Sequence, residues 1–141
     1  TSGASAVPVY AAAKSLGYVR DQSLLRYEGE TDVRKGTDRI TSDNMDVYLN
    51  ENNELVKMIA QKAVVLTQPG RRAVGSWLQY TAADDVAVLR GTPAVVEDVE
   101  NGSSQAAELT FNMRDNRVTS NGKTKTNTNG RLKNVYKIKN Q

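Results

Sequence analysis

The chain contains no cysteine and no histidine in its 141 residues. Without cysteine there is no disulfide, no zinc–thiolate site and no thiol nucleophile. Without histidine the commonest general base and the commonest metal ligand are both missing. Aromatic residues make up 6% and hydrophobic residues 38% of the chain, values that fit a thin-cored β-protein better than a compact α/β enzyme. No apolar run approaches the ~18 residues of a membrane span. Thr1–Ala13 is rich in small residues but lacks the basic and apolar regions of an intact signal peptide. There is no Gly-x-Ser-x-Gly elbow and no phosphate-binding loop. Carboxylates do fall close together at Asp43 and Asp46, at Asp84 and Asp85, and at Glu97, Asp98 and Glu100. Paired carboxylates are what glycoside hydrolysis needs. Each set lies in or beside a predicted turn, where acidic residues are ordinary, and the chain reads as a non-enzyme.

Charge is present but unevenly placed. The net charge is +3, yet residues 116–141 hold seven basic residues and no acid, while residues 1–115 carry a net −4. Such a tail can meet phosphates of nucleic acid, lipid headgroup or glycolipid, or can simply be solvated. Tyr136 is the one aromatic interleaved among its basic residues. A nucleic-acid stacking platform needs more, so nucleic acid is an unlikely partner.

The pattern along the chain is that of strands. Tyr80–Asp98 holds a turn at Asp84-Asp85, a β-branched run Val86–Leu89, punctuation at Gly91 and Pro93, and a second run Ala94–Val96. Glycine and proline between short apolar runs mark two strands and a corner. The same plan occurs 62 residues earlier, where Leu16, Tyr18, Gly29 and Val33 match Leu78, Tyr80, Gly91 and Val95. Two copies of one β-meander follow from this. Met45, Val47 and Leu49 alternate with polar neighbours, as do Leu109, Phe111 and Met113, giving one wet and one apolar face. Glu54–Leu66 fits a helical period, with Asn53 as a possible cap. Its counterpart from Arg117 onward is strand-like, so two strands are expected here, Leu55–Ala60 and Ala63–Thr67. Asn121-Gly122 is a hairpin dipeptide, and Val135–Ile138 could make a last strand. The result is an all-β single domain over residues 1–141, of roughly ten to twelve antiparallel strands. Residues 1–8 form a loose lead-in and 123–141 a basic tail.

An ordered set of short motifs then points to a family. It runs from Pro8-Val9 through Leu25, Tyr27 and Gly29, Ile40–Asp43, Met45–Leu49, Gly75–Tyr80, Val86–Gly91 and Glu108–Phe111 to Asp115-Asn116. In order and spacing this set resembles the OstA/LptA family of periplasmic lipopolysaccharide-transport proteins over most of residues 8–125. The resemblance implies an open, twisted β-jellyroll with an apolar groove that takes lipid A acyl chains. It implies a periplasmic location with the signal peptide removed, and head-to-tail homo-oligomers. Partners of the LptC and LptD types would sit at the two edges. Those two types share the module, so the chain could equally be a domain of either. No cofactor is implied.

The groove candidates are the inward rows: Val9, Leu25, Tyr27, Val33, Ile40, Met45, Val47 and Leu49 from the first copy. Val65, Leu78, Tyr80, Leu89, Val95, Leu109 and Phe111 complete them. The resemblance carries over most directly to Val9, Tyr27 and Val65. The same rows could instead fill a dry core, leaving a structural β-module. Each acyl methylene moved from water is worth about 0.8 kcal/mol, so a chain of about a dozen carbons gains on the order of 10 kcal/mol before entropy costs.

Overall fold

The computed structural model describes residues 9–127. They form one antiparallel sheet of nine strands. The strands are β1 (Val9–Ala12), β2 (Ser15–Val19), β3 (Leu24–Lys35), β4 (Asp38–Leu49), β5 (Leu55–Gln68), β6 (Arg71–Thr81), β7 (Val86–Asp98), β8 (Gly102–Asn112) and β9 (Arg117–Asn127). From β3 to β9 each strand pairs with the next in sequence, and β1 and β2 lie end to end along the outer side of β3. A single turn of 3-10 helix, Arg20–Gln22, joins β2 to β3. No helix among the described residues is long and apolar enough to cross a membrane.

The seven strands after β2 are 11 to 14 residues long, and each pairing between them slips near the middle, β4–β5 slipping again at its end, at Tyr48/Leu49. The central slips fall at Glu28/Thr31, Thr41/Asn44, Gln61/Val64, Val74/Trp77, Arg90/Ala94 and Ala106/Glu108. A β-bulge bends its strand and increases the local twist, so bulges in line across a sheet fold it along that line. One leaf contains 24–28, 44–49, 55–61, 77–81, 86–90, 108–112 and 117–121. The other contains 31–35, 38–42, 64–68, 71–75, 94–98, 102–106 and 124–127. Leu78, Leu89 and Leu109 on the first leaf and Leu66, Ala73 and Val96 on the second are at most 1% exposed and belong to one cluster. With no other layer among the described residues to cover these faces, the leaves cover each other. Cross-leaf bonds agree: Arg71 reaches Asn116, and Lys35 reaches Tyr80.

The all-β meander and its duplication are present as expected, but among the described residues the strands are fewer and longer. The expected break between Ala60 and Ala63 is a bulge, with Lys62 and Ala63 at φ +70° and +51°, and β5 runs through it as strand, not helix. Likewise Gly29 and Glu30, at φ +83° and +48°, bulge β3 without ending it. Asn121-Gly122 makes no hairpin, because Ser103–Ala106 holds residues 124–127 in register and β9 continues to Asn127. The basic tail expected from 123 therefore begins inside a paired strand. The last strand expected at Val135–Ile138 lies outside the described residues.

The repeat is visible in the pairing itself. Leu16 opposes Tyr27 and Tyr18 opposes Leu25, as Leu78 opposes Leu89 and Tyr80 opposes Ala87. Beyond the bulge the copies drift, because β7 leaves Gly91, Thr92 and Pro93 unpaired where β3 leaves only Gly29 and Glu30.

Where the sheet bends, β6 and β7 come very close. A Cβ on Gly75 would stand 2.6 Å from the Arg90 carbonyl oxygen and 2.7 Å from Leu89 Cδ1. The backbone cannot yield without disturbing the bulge. Gly75→Ala is expected to destabilise the fold by about 1–3 kcal/mol, read as a lower urea midpoint with the slope unchanged.

Candidate functional site

Two inward rows cross the first leaf. One runs Leu16, Tyr27, Met45, Ala60, Leu78, Leu89, Leu109 and Ser120; the other runs Tyr18, Leu25, Val47, Met58, Tyr80, Ala87, Phe111 and Val118. Both are sealed from β4 onward and open to solvent only at β3 and β2. Phe111, Leu109, Leu89 and Leu78 are fully buried, Leu25 and Tyr27 half-buried, and Leu16 and Tyr18 are 58% and 56% exposed. The second leaf shows the same trend, from Val96 and Ala73 fully buried to Val9 at 43% exposed. Small side chains favour this asymmetry: Ala73, Ala94, Ala106 and Ser104 let the leaves meet closely toward the C-terminal strands. At the N-terminal edge the same apolar faces run out into solvent.

Between the leaves near that edge lies a cavity of about 230 Å³. Val9, Val33, Gly36, Thr37 and Ile40 line it from the second leaf and its β3–β4 turn, with Lys35 and Asp38. Leu55, Met58, Tyr80, Asp85 and Met113 line it from the first leaf and its turns. Its walls are therefore mostly apolar, with a polar rim. The Tyr80 hydroxyl donates to Asp85 Oδ1 at 2.5 Å. Lys35 Nζ lies 3.5 Å from the Tyr80 oxygen and 3.9 Å from Asp85 Oδ1. Gln68 Nε2 donates to Asp38 Oδ1 at 3.4 Å. Burial, followed by the Asp85 hydrogen bond, holds the Tyr80 hydroxyl above its ordinary pKa, so it remains a donor. Burial also raises the Asp38 carboxyl, opposed in part by the Gln68 hydrogen bond, with the charge of Asp85 adding a smaller upward push.

The fifteen expected groove residues divide into four sets. Val9, Val33, Ile40 and Tyr80 line the cavity. Leu25, Tyr27 and Leu49 pack half-buried against the core beside it. Met45, Val47, Leu78, Leu89, Leu109 and Phe111 are buried within the core and do not line this cavity. Val65 and Val95 face the opposite way. Their neighbours Val64, Leu66, Ala94 and Val96 are buried inward, and Val65 and Val95 both pair with Val74 in an outward row. For Val95 the reason is the longer bulge in β7, which makes Val96 the structural equivalent of Val33. For Val65 the parity of Met58, Ala60, Val64 and Leu66 already points it outward, against the position the resemblance assigned. The lining residues absent from the expected set are Lys35, Gly36, Thr37, Asp38, Leu55, Met58, Asp85 and Met113. Met113 follows Leu109 and Phe111 in the same alternation, so its signal was present; the turn residues carried none.

Among the described residues no group of histidine, cysteine or carboxylate side chains could hold a metal ion. Several outward carboxylates, among them Asp32, Asp46 and Glu108, are engaged in ion pairs. Asp32 accepts from both Arg34 and Arg39, and those hydrogen bonds hold its pKa down at about 2.

Residues 10–133 match the family described as LptA/(LptD N-terminal domain) LPS transport protein. The chain belongs to this family, which is one of transport proteins, and it is an LptA-like lipopolysaccharide-transport module. No curated protein matches the chain by sequence. Among solved structures, 21 chains match. One is LptH of Pseudomonas aeruginosa, the LptA homologous periplasmic component of the conserved lipopolysaccharide transport device. It is 17% identical with a TM-score of 0.74, covering 84% of this chain and 85% of that one. At that identity the likeness is one of fold.

The rim carries a pH signature. A carboxyl whose pKa is raised on folding favours the folded state in acid and loses that contribution as pH rises through its folded pKa. Ionised Asp38 is therefore a burden at neutral pH. Asp38→Asn, which keeps an acceptor for Gln68, is expected to raise the thermal midpoint at pH 7. The gain should disappear below about pH 4, where the carboxyl of Asp38 is itself neutral. Melting curves of both proteins across that range check the sign.

Proposed function

We propose that this chain is a non-enzymatic periplasmic carrier that holds lipopolysaccharide acyl chains between its leaves. The observation that carries this reading is the unfinished burial of the interior. The apolar rows that are sealed around Phe111 and Leu109 emerge into solvent at Leu16 and Tyr18, and the second leaf does so at Val9, which lines the cavity. A protein with nothing to bind has no reason to leave such faces uncovered. A cavity of about 230 Å³ is smaller than the ~300–1,000 Å³ typical of small-molecule sites. An acyl chain would thus enter at the mouth and be held partly by the cavity and partly by the exposed rows. At about 0.8 kcal/mol per buried methylene, even half a chain gives useful but reversible affinity, which suits a carrier that must release its load.

Passage toward the outer membrane would use the two sheet edges. The outer sides of β1 and β2 at one end and of β9 at the other carry no further strand among the described residues. An open edge invites strand addition. Head-to-tail copies, or partners of the LptC type at one edge and the LptD type at the other, would extend the same groove from one molecule to the next. A heterologous contact of this kind gives filaments rather than closed dimers.

Photo-crosslinking tests the groove. Photoreactive residues replacing Tyr27 or Met58 are expected to label with lipopolysaccharide, while the same residue at outward Val65 or Asp46 should not. Equal labelling at inward and outward positions in folded protein would overturn the reading.

A further inference from the structure

The two leaves are fastened very differently at the closed and open ends of the groove. Toward the closed end Arg71 forms a buried fork. Its guanidinium donates to Asp98 at 3.2 Å, to Gln68 at 3.0 Å, and across the leaves to the Asn116 side chain and carbonyl, both at 3.2 Å. The Arg71 and Asp98 side chains are only 10% and 9% exposed. At the open end the charged cross-leaf fastening is the Lys35 ammonium, 3.5 Å from the Tyr80 oxygen and 3.9 Å from Asp85, beside a weak Gln68 Nε2 donation to Met113 Sδ at 3.4 Å. That lysine side chain is 41% exposed. A buried, multiply bonded guanidinium is hard to displace, whereas an exposed lysine ion pair is among the weakest fastenings a protein has.

Taking the carrier reading as its basis, we propose that Lys35 is a latch. It holds the groove mouth closed between loads, and an acyl chain enters by displacing it from Tyr80 and Asp85. Three features fit this role. The latch groups themselves line the cavity, so the space cannot widen at the rim without their moving apart. Tyr80 and Asp85 stay joined to each other on one leaf through their own 2.5 Å hydrogen bond, which leaves Lys35 as the part that moves. Lys35 also lies between two acids, Asp38 on its own hairpin and Asp85 opposite. Removing its charge leaves like charges facing across the mouth, which favours opening. The Arg71 fork, undisturbed, would act as the fixed side about which the leaves part.

The test is the association rate of an uncharged apolar probe, the methyl ester of cis-parinaric acid, followed by fluorescence in a stopped-flow instrument. An uncharged probe is chosen so that removing Lys35 does not alter long-range attraction. Lys35→Met is expected to speed association about fivefold, the factor that loss of an exposed ion pair can release. Lys35→Arg, which restores the charge, should return the rate to within about twofold of wild type. Circular dichroism confirms that both variants are folded. An unchanged or slower rate in Lys35→Met, with the ester still bound, would overturn the latch and leave the carrier reading intact. Absence of ester binding in all three proteins would overturn the carrier reading, and the latch with it.

Discussion

The line of bulges across the sheet is the constraint on which everything else rests. A flat sheet of strands 11 to 14 residues long would expose one apolar face to water along its whole length. By slipping near the middle of every pairing from β3 to β9, the strands bend together and the sheet folds over so that its two leaves face each other. The bend is held by close approach at Gly75 and, at the first pair, by Thr31. The hydroxyl of Thr31 is buried and bonded to both the carbonyl and the hydroxyl of Ser42. Among the described residues no buried side-chain polar atom is left without a partner, so the fold line costs little in unsatisfied groups.

Side-chain size then decides how far the leaves close. Alanines and serines on the later strands permit contact, and the large residues there, Phe111, Leu109 and Leu89, interlock and are excluded from water. Each such burial contributes about 1.5–3 kcal/mol, so stability is concentrated at the C-terminal end. The N-terminal edge pays for its openness with exposed Leu16, Tyr18 and Val9. Burial is thus divided along the sheet: one end is packed core, and at the other the same rows reach solvent. The polar rim of Lys35, Asp38, Tyr80 and Asp85 lies at the boundary between them.

Much of this was legible in the sequence. Alternation in Met45–Leu49 and in Leu109–Met113 gave the inward rows correctly, and the spacing of Leu16 and Tyr18 from Leu78 and Tyr80 gave the duplication. Bulges were not legible as bulges. A glycine such as Gly29 or a pair such as Lys62 and Ala63 reads as a strand end, when in fact the chain takes a positive φ for one or two residues and continues. That error multiplied the strand count and let Val95 inherit the inward place of Val33, which a single extra residue in β7 had moved to Val96. Nor does periodicity distinguish a packed row from a vacant one. Leu78 and Tyr80 belong to the same alternation, yet one is sealed in the core and the other lines the cavity, because vacancy depends on what the opposing leaf supplies.

The chain's three methionines offer a direct test of the central claim, that the interior is open to acyl chains at one end only. Met58 and Met113 line the cavity, whereas Met45 is 1% exposed within the core. With methyl-labelled methionine, the three signals can be followed by NMR as dodecanoate is added below its micelle concentration. Large shifts of Met58 and Met113 with a small response at Met45 are what the structure predicts. Three unmoved signals at saturating dodecanoate, or a Met45 shift as large as the others, would contradict it.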